Sequence, residues 1–309
     1  MLTQELPHFD KIVSNDELDL MNNNYTYYGG IEIIGLKAKS SLLTLSLVGD
    51  KNKEIAPNQG ENIEHNGTRL MSADKVILYG WLPFIIIALF QDYEFEDYRI
   101  TPKIWRFELK RDEILREVVL KMFNTKQEKK RLHKINPEIS YDGEKVRLNR
   151  CYGFFLTTGN DAPTHYGTYI VAKGKMIIRS IAKQIGEKDV IQGHTDSIKF
   201  VGKHQDVIDK YNSSIEFDEL GKFDYEGDLE KVIYYGVNKA KYLKNGELGL
   251  KHGGISDSDI APLMKMSYDE INRKTKYYLT VDYFYDKELG FRNITKEAVF
   301  GGSVDGTKF

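Results

Sequence analysis

Lys145-x-x-x-Asn149-x-x-Tyr152-Gly153 is the first stretch whose residue types and spacing could do chemistry. At about 100° per residue along a helix, Asn149 stands about 40° and Tyr152 about −20° from Lys145, so an amine, an amide and an aromatic ring share one face. Such a face suits a nucleoside triphosphate: the amine meets phosphates, the ring stacks under base and sugar, and the amide makes polar contacts between. Taken alone, the same pattern also describes a surface helix with one polar face. The second stretch is His194-Thr195-Asp196-Ser197, a polar tetrad between Val190-Ile191 and Ile198-Lys199-Phe200. Apolar flanks around such a tetrad predict a tight β-hairpin with Asp196 at its tip. A carboxylate on a turn commonly bonds its own backbone. Asp196 gains meaning from its company, 47 residues beyond Asn149 with an amphipathic helix between them.

The elements that must position these residues are legible as periodicity. Ile114, Leu115, Val118, Val119, Met122 and Phe123 predict one apolar stripe on a helix from about 107 to 134. Asn136-Pro137 and Asp142-Gly143 break the chain, and a second helix runs from near Gly143 into Phe154-Phe155-Leu156. Together they predict a helical hairpin rich in Lys and Arg. Ile170, Val171, Gly174, Ile177, Ile178, Ile181, Ala182 and Ile185 trace the buried face of a third helix, with Lys173, Lys175, Arg179 and Lys183 off that face and Gly186 as its stop.

Elsewhere, residues 25–50 alternate like antiparallel strands interrupted at Gly29-Gly30, and 51–69 read as an exposed loop or hairpin tip. The uncharged run Val76–Phe90 is too short to span a bilayer, so a buried helix or helix-turn broken at Pro83 is expected. Tyr234-Tyr235 to Leu250 reads as strand, turn at Asn245-Gly246 and strand, and Gly253-Gly254 leads into a final mixed region.

Composition sets the outer bounds. The 309 residues leave room for about two or three packed domains. With 41% hydrophobic and 12% aromatic residues, intrinsic disorder is excluded for most of the chain. One Cys excludes a disulfide framework and a thiolate zinc cluster. No basic start followed by an apolar run marks a secretory signal, so a cytoplasmic setting without membrane partners is expected. The formal charge of −2 hides an uneven map. Residues 102–150 hold fourteen basic residues against eight acidic ones, whereas 209–230 carry eight acidic residues against Lys210 and Lys222. A charge run in isolation is usually a solvated face. The basic run coincides with the Lys145 motif.

Lys145-x-x-x-Asn149-x-x-Tyr152-Gly153, then a palm-like helix, then Thr195-Asp196-Ser197 resembles motifs B and C of the B-family DNA polymerases, and within them the phage protein-primed branch. The family patterns are Lys-x-x-x-Asn-Ser-x-Tyr-Gly and Tyr-x-Asp-Thr-Asp-Ser. The resemblance extends to Asn238-Lys239-Ala240-Lys241-Tyr242-Leu243, which looks like the Lys-x-Tyr strand that grips the primer terminus, and to Lys251-His252-Gly253-Gly254 before the thumb. It implies an α+β right hand: a partial antiparallel palm sheet, helical-hairpin fingers and a small thumb. The implied divisions are palm strands and an insertion over 1–105, fingers over 106–156, palm with motif C and primer-grip strand over 157–253, and thumb over 254–309.

The chemistry implied is nucleotidyl transfer with two Mg²⁺ ions, Mn²⁺ being able to substitute. Asp196 corresponds to the catalytic, metal-binding carboxylate, with His194 as a secondary ligand candidate. Lys145, Asn149 and Tyr152 correspond to nucleotide-binding positions. Thr195, Ser197, Lys239, Lys241 and Tyr242 fall where the family meets DNA and primer. The implied partners are primer-template DNA, deoxynucleoside triphosphates and a terminal protein.

The departures are specific. Arg150 stands where the family has Ser, Gln192 where it has Tyr, and His194 where it has the first Asp of motif C. Ala240 breaks the Lys-x-Tyr register and leaves open whether Lys239 or Lys241 meets the primer. The segment from Thr157 to Gly167 is short where the protein-primed branch inserts a hairpin. No Asp-x-x-Ser-Leu-Tyr-Pro run, the family's motif A, occurs in the sequence, and Asp10 is the one substitute at about the right distance. Because Met1 to Pro7 resembles the family's stretch just past motif A, the expectation is the C-terminal part of a split polymerase. An N-terminal polymerase/exonuclease subunit would bring the second carboxylate. The alternative is a catalytically inactive polymerase-derived subunit for DNA binding or assembly.

Overall fold

The structure, a computed structural model, describes residues 5–40, 60–66, 69–155, 164–194, 197–215, 221–236, 239–252, 260–272, 275–286 and 290–299. The chain divides into two units, Met1–Phe223 and Asp224–Phe309.

The first unit opens with strands β1 (Glu5–Val13), β2 (Tyr25–Ala38), β3 (Gly60–Glu61), β4 (Glu64–Asn66) and β5 (Arg69–Trp81), then helix α1 (Leu82–Asp92) and strands β6 (Tyr93–Glu94), β7 (Asp97–Ile100) and β8 (Ile104–Arg111). They form one antiparallel sheet in the order β1-β8-β2-β5-β3, with β4 on β5 and both β6 and β7 on β2. Alternation along β2 turns Tyr27, Ile31 and Ile33 into a core closed by Leu82, Ile85 and Leu89 of α1, and Leu36 joins it just past Gly35, whose φ is 64°.

Three expectations change here. Gly29-Gly30 does not interrupt β2: a Cβ at Gly30 would lie 2.7 to 2.9 Å from Thr101 and Tyr79, so the residue permits close packing inside one continuous strand. The Val76–Phe90 run is strand as far as Trp81 and helix from Leu82. Pro83 sits in the first turn of α1, where its missing N–H costs nothing. Gly60–Glu61 and Glu64–Asn66 pair with β5 as short strands rather than loop, Asn66 standing opposite Arg69, and residues 67–68 lie outside the described residues. Residues 41–59 lie outside the described residues.

Helices α2 (Glu113–Ile135) and α3 (Asp142–Phe154) form the expected basic hairpin. Its first helix starts later than 107, because Ile104 and Phe107 turn inward from β8 and Asp112 then caps α2, accepting from Leu115 N at 2.9 Å. α4 (Thr164–Ile185) comes next and ends at Gly186, whose φ of 98° favours a glycine. The unit closes with the hairpin β9 (Val190–His194) and β10 (Ser197–Phe200) and with α5 (Gln205–Ser213).

Arg179 departs from its expected position off the buried face. It is 7% exposed and ion-paired with Asp92 at the end of α1, and Lys183 reaches the same carboxylate at 2.8 Å. α4 packs against α1 as well as against the sheet and the hairpin, so one apolar stripe does not cover its buried surface.

The second unit is a meander of β11 (Lys231–Gly236), β12 (Lys239–Lys244) and β13 (Glu247–His252), with a further hairpin of β14 (Lys276–Asp286) and β15 (Gly290–Val299). The turn between β12 and β13 is the expected Asn245-Gly246, with φ of 54° and 77°. Leu250, Ile260, Leu263 and Ile271 form this unit's own core. No helix among the described residues is long and apolar enough to cross a membrane.

Candidate active site

Glu144, Leu148, Cys151 and Phe155 fall at i, i+4, i+7 and i+11, and this side of α3 packs inward. Glu144 is 8% exposed and accepts from Lys129 of α2 at 2.7 Å, and the adjacent ammonium holds its carboxyl below the usual range. Cys151 Sγ lies 3.6 Å from Met122 Sδ, the packing role its small size suits. About 100° around the helix from this seam, Lys145 and Asn149 are exposed, as are Arg147 and Arg150. Tyr152 lies on α3, but its side chain is outside the described residues.

β9 and β10 pair through Gln192↔Lys199, Gly193↔Ile198 and His194↔Ser197. Thr195 and Asp196, the two residues between the last paired positions, lie outside the described residues, as does the side chain of His194. The base of the hairpin is fixed by Val201 N donating to Asp189 O at 2.8 Å and by His204 Nε2 at 3.1 Å from Asp189 Oδ2. A Cβ on Gly193 would meet Ile178 Cγ2 at 3.2 Å, so a glycine lets the strand lie close on α4.

α4 connects the two motifs. Tyr166 and Ile170 near its start pack with Leu6, Val119 and Phe155 at the root of the helical hairpin. Tyr169 packs with Trp81 and Phe107 of the sheet, and burial pushes its phenol up to about 12. Ile181, Ala182 and Ile185 pack with Val190 and Ile208 beneath the β-hairpin. Beside its first turn, His165 is half-buried against Phe107, and burial lowers its imidazole below the usual value.

In the second unit, Lys239 and Lys241 are 6% and 5% exposed on one side of β12, and burial lowers the Lys239 ammonium. Tyr242 lies on the other side over its cross-strand partner Gly249, where an added Cβ would collide with the ring.

Asp10 is occupied. Arg106 donates to its Oδ2 from Nε at 2.6 Å and Nη2 at 2.5 Å, and the guanidinium carbon stands 4.5 Å from the centroid of the Tyr25 ring. Among the described residues no three His, Cys, Asp or Glu side chains come together as a metal site, and Asp196 lies outside those residues. Glu144, Lys129, Asp189, His204, Gly193 and Gly249 escaped sequence reading. Only Glu144 left a signal there, as the carboxylate beginning the inward i, i+4 series of a basic helix.

No protein-family model and no curated protein matches the chain. The architecture is nevertheless a known one: a DNA-polymerase-like fold. Phi29 DNA polymerase in an orthorhombic crystal form is similar at a TM-score of 0.65 and 13% identity, over 97% of this chain and 56% of that one. The same polymerase complexed with single-stranded DNA gives 0.67 and 14%, over 97% and 55%. Complexed with primer-template DNA and incoming nucleotide substrates it gives 0.64 and 13%, again over 97% and 55%. The chain thus spans little more than half the length of these neighbours.

Proposed function

We propose that this chain carries fingers, part of the palm and thumb of a B-family DNA polymerase of the phage protein-primed kind, and takes part in template-directed nucleotidyl transfer. The observation that carries the reading is α4, which roots the Lys145-Asn149 helix at one end and the Asp196 hairpin at the other. The polymerase-like fold over 97% of the chain supports it.

In this proposal the primer 3′-hydroxyl oxygen bonds to the α-phosphorus of a deoxynucleoside triphosphate as the bond to pyrophosphate breaks, and the hydroxyl proton passes to water. Lys145 neutralises triphosphate oxygens, while Asn149 and Tyr152 line the sugar and base. Thr195 and Ser197 are the first unit's proposed DNA contacts, and Tyr242 is the second unit's proposed primer contact. Asp196 is this chain's carboxylate for Mg²⁺, and two such ions would supply Lewis-acid stabilisation of the transferred phosphoryl group. The second carboxylate comes from outside these residues, because motif A is absent from the sequence and Asp10 is held by Arg106. A partner chain carrying motif A and the exonuclease is the form we favour.

Primer extension by this chain, with and without a polypeptide carrying Asp-x-x-Ser-Leu-Tyr-Pro, tests the reading. Synthesis is expected only with both. Full activity of this chain alone would sink the divided site. In the reconstituted pair, Asp196→Ala should lower synthesis by several orders of magnitude, and unchanged synthesis would favour a catalytically inactive subunit.

A further inference from the structure

β12 carries two buried lysines, and the surroundings of one define its role. Lys241 Nζ donates to the carbonyl oxygens of Tyr268 at 2.5 Å and Ile271 at 2.7 Å, and lies 4.2 Å from the centroid of the Tyr268 ring. Its partners are thus two carbonyls and an aromatic face, all from the stretch 268–271. Two ammonium protons go to the carbonyls and the ring stands in for water around the charge. The Ile271 side chain is fully buried with Leu250, Ile260 and Leu263, and its carbonyl also accepts from the Tyr235 hydroxyl at 3.3 Å. A phosphate or base reaching this amine would have to pull it away and leave those carbonyls without their donor.

We propose that Lys241 is a positioning residue, which clamps 268–271 onto β12 and does not itself contact the primer. The proposal rests on the reading of β12 as the primer-grip strand. Strand alternation puts Tyr242 on the side opposite the clamp, where its ring lies over Gly249. Lys241 thereby fixes the strand whose other face presents Tyr242.

Amine acylation of the full chain, read residue by residue by mass spectrometry with and without primer-template, tests the clamp without any substitution. Lys241 is expected to stay unmodified in both states while exposed Lys265 reacts. Modification of Lys241 in the free chain, suppressed by primer-template, would overturn the proposal. If the chain binds no DNA, the primer-grip reading fails separately, and the free-state modification of Lys241 still decides the clamp.

Salt-dependent primer-template titrations of Lys241→Met and Lys241→Arg then separate positioning from contact. Lys241→Met should weaken binding at least about threefold with an unchanged slope of log K against log salt, and Lys241→Arg should recover most of the affinity. A slope shallower by about one marks a lost phosphate contact and overturns the proposal. Unchanged affinity and slope in Lys241→Met would overturn it too.

Discussion

Glu144 is the residue through which the side of α3 that carries Lys145 and Asn149 is held in place. Its carboxylate sits on the α2 side of the helix and takes the Lys129 ammonium at 2.7 Å, so the pair sets how α3 is rolled against α2. Lys145 and Asn149 are carried along by that roll. Glu144→Gln should raise KM for the incoming nucleotide several-fold with a smaller change in kcat, because the binding groups remain but their bearing loosens. The exchange Lys129→Glu with Glu144→Lys should recover part of the loss, and steady-state kinetics of the reconstituted enzyme checks both. His165 gives a prediction of different sign. Its folded pKa lies below the unfolded value of about 6.5, so the unfolded chain binds the extra proton first. The stability from its neutral ring is present above about pH 6.5 and is lost as pH falls through the window down to the folded value. Urea unfolding at stepped pH should show that loss, flattened in His165→Phe.

At the scale of elements, the joint between α1 and α4 rests on a buried charge group at the C-terminal end of α1. Asp92 is 3% exposed and meets Arg179 and Lys183, while Arg179 also reaches Ala88 O at 3.4 Å. Asp92→Ala leaves a buried guanidinium without its counter-charge and should cost about 3–5 kcal/mol in urea unfolding; Asp92→Leu with Arg179→Met should cost less. Sequence could not reveal this joint, since its partners are 87 positions apart and Arg179 read as one more cation on a polar face. The helices themselves were legible because their signals are local: α2 and α4 match the apolar repeats that predict them, and α3 follows the breaks at Asn136-Pro137 and Asp142-Gly143. The border at 104–113 was not, because Phe107 can serve a strand or a helix until its packing against Phe9 and Trp81 decides. The candidate site divides the same way. Lys145 and Asn149 could be placed on one helical face from spacing alone, but the burial of Lys241 depends on 268–271, which no spacing within β12 encodes. Gly249 was equally silent. Gly249→Ala should push the Tyr242 ring aside, leaving the melting temperature nearly unchanged and weakening primer-template binding. A fall in stability with unchanged binding would mean that Tyr242 only packs.

For the whole molecule, the open quantity is whether DNA responds to the sum of charge or to its map. The sum is −2, which by itself predicts weak repulsion from a polyanion. The map places exposed Arg147 and Arg150 on the basic hairpin and exposed Asp224 and Glu226 at the start of the second unit. Two double substitutions distinguish the cases. Arg147→Gln with Arg150→Gln makes the chain more negative by two charges, and Asp224→Asn with Glu226→Gln makes it more positive by two. If only the sum mattered, the pairs would shift DNA affinity by similar amounts in opposite directions. Phosphate contact is local, each neutralised phosphate contributing about 0.9 to the slope of log K against log salt. The arginine pair should therefore flatten the salt dependence by up to about two, while the acidic pair leaves it unchanged. Anisotropy titrations at stepped salt read both slopes directly, and equal and opposite shifts would count against the α2–α3 hairpin as the proposed DNA contact.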